Sequence, residues 1–249
     1  MSRNFDILHR EATRVDPVRP AAPVLPLPQK KVRPQPSDRG TAADDEIAKL
    51  VQRVFILPGS VKAPGVVAFC GVDEGAGCSW VCARASEALA ERAAGTVCVI
   101  DANLRSPSLH EYFRVDVSPG FAGAMKDPRP VREFTRPTGC PNLWLLTSGE
   151  VGREPNGALN PARLRSRFSE LREEFDFLLI DTPPVSSYPD AVLLGQLTDG
   201  IILVVGSNYT RRVPARIAKE SFEAANVSVL GAVLNRRTYP IPEALYQRM

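Results

Sequence analysis

An all-apolar strand leads directly into a glycine-rich loop and then a helix, and this order constrains the fold more than any other feature of the chain. Residues 66–70 read VVAFC and predict a buried strand, residues 71–79 read GVDEGAGCS, and residues 80–84 continue as a helix. A loop of this kind directs backbone N–H groups at an anion, and the dipole of the following helix favours negative charge there. The segment therefore predicts a phosphate-binding loop.

The loop matches an ATP-binding P-loop at all but one of its key positions. Gly75 and Gly77 stand in place, and so does Ser79, whose hydroxyl binds Mg²⁺ in working loops. Cys78, which we also assign to the nucleotide-binding set, occupies the position of the lysine that neutralises the β- and γ-phosphates. Losing one charge-assisted bond of about 1.5–3 kcal/mol weakens ATP binding by roughly 10- to 100-fold. We therefore predict weak or lost binding of ATP and Mg²⁺.

Beyond the loop, predicted strands and helices alternate along the chain. Strands that are apolar throughout and joined by helices indicate a parallel sheet covered on both faces. The predicted fold is an α/β, P-loop NTPase-like domain with a mostly parallel sheet and helices on both faces. The predicted strands are 66–70, 96–101, 143–147, 177–181, 200–205 and 227–234, and the predicted helices are 46–55, 79–94, 106–113, 161–174, 190–197 and 213–225.

Two of these strands end in an aspartate, Asp101 after VCVI and Asp181 after FLLI. The carboxyl ends of parallel strands meet at one edge of the sheet, where ligands bind. Two carboxylates there suit a Mg²⁺–nucleotide site, with Asp181 and Ser79 as metal ligands and the two aspartates as the catalytic pair. A single aspartate at a strand end more simply caps a turn. Two of them beside a glycine-rich loop favour the nucleotide site.

The two ends of the chain differ in composition from its centre. Residues 1–44 contain seven prolines and predict a flexible linker. Its first residues are either a frayed terminus or a short helix that folds on a partner. The folded domain is expected at 45–238, followed by a tail at 239–249 that holds Tyr239 and Tyr246.

Composition and charge narrow the classes of function. A net charge of +3 with scattered basic residues does not favour nucleic acid as a partner. The chain contains no apolar run of membrane-spanning length, and its start lacks the apolar core of a signal peptide, so we expect a cytoplasmic protein.

The five cysteines do not have the paired spacing that is typical of a metal site. Cys78 is either a reactive thiol at a helix N-terminus or a neutral thiol that fills the space of the lysine, and we favour the neutral thiol.

Several segments give the chain a specific family resemblance. Residues 99–110, VIDANLRSPSLH, resemble the Walker A′ motif of bacterial tyrosine kinases (BY-kinases), and residues 177–185, FLLIDTPPV, resemble their Walker B motif. These kinases are the CapB/CpsD-like cytoplasmic partners of polysaccharide chain-length regulators. Further similarity lies in residues 118–121, 199–205 and 230–236, and the motifs follow the family's order across roughly 45–238.

The resemblance implies roles for the matched positions. Asp101 and Asp181 would be the A′ and B acids, and Asn235, in the loop after the last strand, would lie near the adenine. Tyr239 and Tyr246 would be the candidate phosphoacceptors. The family also implies ATP and Mg²⁺ as cofactors, homo-oligomers, and a membrane chain-length regulator of the Wzz type as partner. Contact with that regulator through the N-terminal segment would hold the protein at the inner membrane.

The sequence departs from the family at several positions besides Cys78. Asn103 replaces the second aspartate of the A′ motif, and the tail has two tyrosines instead of a cluster. The ring-forming Glu-x-x-Arg-x-x-Arg motif is only partly present in residues 46–53. These departures predict a regulatory protein of exopolysaccharide or capsule synthesis or export in which the tyrosine kinase activity is weakened or lost.

Three other functions remain open from the sequence. The first is an active tyrosine autokinase with a substitute positive charge, for which Arg105, Arg211 and Arg212 are candidates. The second is a positioning ATPase of the MinD/ParA type, although Asp73 stands where such proteins have their signature lysine. The third is a redox sensor centred on Cys78.

Overall fold

The apolar runs form the strands of a single sheet. The computed structural model describes residues 41–56, 63–150, 160–207 and 209–236, and within them the sheet has seven strands in the order β3-β4-β2-β5-β1-β6-β7. All neighbouring strands are parallel except β3 and β4, which confirms the mostly parallel sheet. The strands are β1 (Val66–Gly71), β2 (Val97–Asp101), β3 (Arg136–Pro137), β4 (Leu143–Leu146), β5 (Phe177–Thr182), β6 (Gly200–Gly206) and β7 (Val229–Asn235).

The helices cover both faces of this sheet, as the sequence predicted. They are α1 (Thr41–Val51), α2 (Cys78–Arg92), α3 (Leu109–Phe113), α4 (Gly120–Ala124), α5 (Pro161–Glu174), α6 (Asp190–Gly195) and α7 (Arg212–Ala224). A π-helical turn at Gln52–Ile56 follows α1, and a 3₁₀ turn at Val131–Phe134 precedes β3.

Two apolar cores lie on opposite sides of the sheet, because successive side chains of each strand point to opposite faces. On one face Val67 and Phe69 of β1 pack with Leu89 of α2 and with residues of α1. On the other face Ala68 packs with residues of α5, α6 and α7, including the fully buried Phe222. Burying the central strands on both sides explains why their sequences read as continuous apolar runs.

Some elements differ from the sequence prediction. The first helix begins at Thr41 and not at Glu46, so it includes residues at the end of the segment that we assigned to the linker. β3 and α4 were not predicted. β3 has only two residues, one of them Pro137, which an edge strand tolerates because a proline offers no N–H to a neighbour. The remainder of the predicted linker, and the tail with both candidate phosphoacceptor tyrosines, lie outside the described residues.

Asp199 fixes the start of β1, the strand that leads into the glycine-rich loop. One of its carboxylate oxygens accepts hydrogen bonds from the backbone N–H groups of Gly65 and Val66, both at 2.8 Å. The other accepts from Arg172 at 3.0 Å. Partial burial acts to raise the pKa of Asp199, but these hydrogen bonds outweigh it and leave the pKa lowered. The ionised carboxylate therefore stabilises the fold.

We predict that Asp199→Ala lowers the free energy of unfolding by about 1–2 kcal/mol at pH 7, since charge-assisted bonds are lost at a partly solvated site. A carboxylate with a lowered pKa stabilises the fold above its unfolded pKa and loses this effect as the pH falls through the folded value. The difference between the variant and the native chain should therefore shrink from pH 7 to pH 3 in urea unfolding. Asp116→Ala, at an exposed aspartate, serves as control, and an equal loss in both variants would contradict the prediction.

Candidate functional site

The glycine-rich loop connects β1 to α2 at the carboxyl edge of the sheet. Gly75 and Gly77 have φ angles of 78° and 82°, in the left-handed region that glycine adopts readily. Gly77 is the N-cap of α2, and Ser79 lies in its first turn, partly exposed. The loop thus brings the predicted glycines and the hydroxyl together at the start of a long helix, where backbone amides and the helix dipole favour an anion.

The two aspartates are neighbours at the same edge. Asp101 of β2 and Asp181 of β5 are register partners on adjacent parallel strands, and both are fully buried. One oxygen of Asp101 accepts hydrogen bonds from the backbone N–H groups of Ser108 and Leu109, each at 3.0 Å. Asp101 therefore anchors the start of α3, the turn-capping role that sequence alone allowed for such a residue. Asp181 is in register with Phe69 of β1, the strand that leads into the loop.

A thiol that faces a carboxyl group fills the position of the missing lysine. Burial raises the pKa of the Cys78 thiol well above its usual value, and the nearby charge of Asp181 adds to this shift. One turn further along α2, burial and the charges of Asp181 and Asp101 raise the pKa of Cys82 in the same way. Both thiols are therefore protonated and uncharged at neutral pH. This supports the neutral interpretation of Cys78 and argues against a reactive thiolate.

Asn235 contacts the loop itself. The sequence placed it in the loop after the last strand, but it is the last residue of β7. Its side-chain Nδ2 donates to the carbonyl of Ala76 at 2.9 Å, and its Oδ1 accepts from the backbone N–H of Arg236 at 2.9 Å. A Cβ added to Gly77 would collide with the Asn235 carboxamide, so a glycine is needed there for space as well as for its positive φ. That Asn235 would lie near the adenine of a bound nucleotide remains a prediction.

A second side chain, that of Tyr209, also holds the loop. The hydroxyl of Tyr209 donates to the carbonyl of Glu74 at 2.8 Å. Tyr209 was missed by the sequence analysis. It follows the end of β6 by three positions, and the position of that loop at the carboxyl edge is the signal that would have suggested it. Tyr209 and Asn235 together fasten the glycine-rich loop to two neighbouring strand ends.

The basic residues named as substitutes for the lysine lie in different settings. Arg105 pairs with Asp190 at 3.2 Å and stacks on the ring of Tyr188 at 4.3 Å from its centroid. Its charge is thus already engaged by a carboxylate. Arg211 and Arg212 are exposed at the start of α7.

Neither a membrane-spanning helix nor a metal-binding cluster is found in the part of the chain that the structure describes. None of the helices in the described ranges combines the length and the apolar character needed to cross a bilayer. Within the same ranges, no group of three or more His, Cys, Asp or Glu side chains is arranged to hold a metal ion.

The fold and the loop define the class: this is an α/β protein with the P-loop NTPase fold. A chimeric CapA2B2 protein of known structure superposes with a TM-score of 0.72 at 25% identity, over 78% of this chain and 85% of that one. The septum site-determining protein MinD from Pyrococcus horikoshii, solved as a complex with Mg-ADP, superposes with a TM-score of 0.60 at 23% identity, over 74% and 76% of the two chains.

Sequence relatives specify the class further. The tyrosine-protein kinase YwqD of Bacillus subtilis is 30% identical over 139 residues, which span 56% of this chain and 59% of the kinase. The tyrosine-protein kinase CpsD of Streptococcus agalactiae serotype III is 28% identical over 178 residues, which span 71% and 76% of the two chains. No family model matches the chain. The resemblance to bacterial tyrosine kinases that the motifs indicated is thereby confirmed.

We predict that Cys78 reacts slowly with iodoacetamide in the native protein at pH 8, because its thiol is buried and its raised pKa keeps it protonated. Cys78 and Cys140 are both partly exposed as residues, but the pKa of the Cys140 thiol is raised less, so Cys140 should be modified first. Peptide mass spectrometry at successive times would rank the five cysteines, and a urea-unfolded sample provides the reference rates. Modification of Cys78 ahead of Cys140 would restore the redox-sensor hypothesis.

Proposed function

We propose that this chain is a BY-kinase-like P-loop protein of exopolysaccharide or capsule synthesis or export, with weakened or lost tyrosine kinase activity and a regulatory role. The observation that carries the proposal is the uncharged side chain of Cys78 at the first position of α2, directly after Gly77, where a lysine would meet phosphate. The tyrosine kinases among its relatives support the family context. The intact loop and strand-end aspartates support a retained nucleotide-binding frame.

The electrostatics of the site favour weak binding of a triphosphate. A phosphate chain at the loop would bring several negative charges near the buried Asp181 and near Asp73 and Glu74, without the lysine that compensates them in working loops. The backbone amides and the dipole of α2 still favour an anion. We therefore expect binding about 10- to 100-fold weaker than with a lysine, and a larger loss in phosphoryl transfer because charge develops in the transition state.

The donor set fits Mg²⁺ carried by a nucleotide. The Ser79 hydroxyl and the Asp181 carboxyl offer the oxygen ligands that this cation prefers, and both lie at the loop end of the site. Asp101 would remain in its hydrogen bonds to the start of α3. Bound Mg²⁺ would supply charge neutralisation of the phosphates. ATP is the proposed nucleotide because the relatives are kinases.

The similarity to bacterial tyrosine kinases also suggests binding partners for this chain. We propose a membrane chain-length regulator of the Wzz type, contacted through the N-terminal segment 1–44, which would place a cytoplasmic protein at the inner membrane. Homo-oligomers would form as in the family. The CapA2B2 chimera among the structural neighbours supports this pairing.

A second candidate is an active tyrosine autokinase that phosphorylates Tyr239 and Tyr246. The similarity of this chain to the tyrosine-protein kinases YwqD and CpsD favours it. Mass spectrometry of residues 237–249, after co-expression with a chain-length regulator, separates the two candidates. Phosphate on either tyrosine that disappears in the Asp181→Ala variant would support the kinase, and an unmodified tail would count against it.

The proposal predicts that the purified full-length chain shows little ATP hydrolysis or autophosphorylation, and that Cys78→Lys raises both by at least about tenfold because the variant restores one charge-assisted bond. Cys140→Lys adds the same charge away from the loop and should have no effect. Thermal unfolding confirms that each variant is folded. Robust turnover by the native chain that is lost on Asp101→Ala or Asp181→Ala would contradict the loss of activity.

A further inference from the structure

Arg236 follows the last strand directly. Its φ angle of 58° places it in the left-handed region. Its backbone N–H is held by the Asn235 carboxamide, and that carboxamide is in turn held by the carbonyl of Ala76. The end of β7 is thus fixed against the loop by successive hydrogen bonds.

This arrangement brings the Arg236 side chain to the last glycine of the loop. A Cβ built on Gly77 would lie 3.6 Å from Nε of Arg236. Gly77 is the residue immediately before the lysine position that Cys78 now occupies, and it caps the helix whose amides would hold phosphate. The guanidinium therefore lies beside the part of the loop that lacks a charge.

We propose that Arg236 supplies a positive charge to a polyphosphate bound at this loop and so partly replaces the missing lysine. This inference rests on the proposed nucleotide site. Arg236 was absent from the candidates that the sequence offered, and it differs from Arg105, whose guanidinium is already paired with Asp190. Arg236 is exposed, so its donors are accessible to a ligand.

The chemistry of the guanidinium suits this role. It stays protonated throughout the physiological pH range and presents five N–H donors in a planar fork that matches phosphate oxygens. Its two Nη atoms extend beyond Nε, so the charged end reaches further than the atom that lies beside Gly77. A lysine in the loop would approach the phosphates from within the cradle, whereas Arg236 would approach from its rim. Such a contact is open to solvent and should weaken as salt is added.

The structure offers a closely matched control. Arg114 is also exposed and also has a positive φ angle, of 57°, but it caps the end of α3 and makes no part of the loop. Replacing either arginine by glutamine removes one charge and keeps a long, unbranched side chain on the same backbone conformation. The pair therefore isolates the effect of position from the effects of net charge and local strain.

The test is isothermal titration of Mg-ATP into the full-length native chain, Arg236→Gln and Arg114→Gln, each also in the Cys78→Lys background. We expect Arg236→Gln to weaken binding by about tenfold or more, and Arg114→Gln by less than about twofold. In the Cys78→Lys background the loss caused by Arg236→Gln should be smaller, because a lysine then carries the charge. Arg236→Lys should retain part of the affinity.

The outcomes distinguish this inference from the proposed function. Equal affinities of Arg236→Gln and Arg114→Gln would overturn the role of Arg236 and leave the nucleotide site standing. Absence of binding by the native chain, with a gain in Cys78→Lys, would also overturn the role of Arg236, since no compensation would then exist. Absence of binding in every variant, Cys78→Lys included, would instead refute the nucleotide site itself.

Discussion

The placement of an uncharged thiol, that of Cys78, near the buried carboxyl group of Asp181 is the constraint on which the account of this protein depends. Asp181 is the next-to-last residue of β5, which lies between β1 and β2, and its carboxyl group is fully buried. A buried charge is unfavourable without a partner, and a P-loop lysine with bound phosphate would place strong charges beside this position. Here the neighbouring group on α2 is a neutral thiol. The site therefore has the carboxyl group of Asp181 but lacks the positive charge of a P-loop lysine.

The framework around this pair does not depend on the lysine. Gly75 and Gly77 have left-handed backbone conformations. The side chains of Tyr209 and Asn235 hold the loop in place by donating hydrogen bonds to its backbone carbonyl groups. None of these interactions needs the charge that a lysine would carry. The chain can therefore adopt the P-loop NTPase fold and resemble bacterial tyrosine kinases with Cys78 in place of the lysine.

Features that depend on local sequence were predicted well. The predicted helix 161–174 matches α5 at both ends, because Asn160 caps it and Pro161 suits its first position. The central strands agree to within one or two residues, because burial on both faces requires apolar side chains at every position. β3 and α4 were missed, since two- and five-residue elements are too short to show a period. The contacts of Asn235 and Tyr209 join residues 159 and 135 positions apart and depend on strand order, which the sequence does not display.

The most direct measurement of the central claim is the affinity of the isolated full-length protein for Mg-ATP beside that of its Cys78→Lys variant. The account predicts weak but measurable binding by the native chain and binding at least about tenfold tighter in the variant, since one charge-assisted bond to phosphate is restored. Tight binding by the native chain that Cys78→Lys leaves unchanged would contradict it.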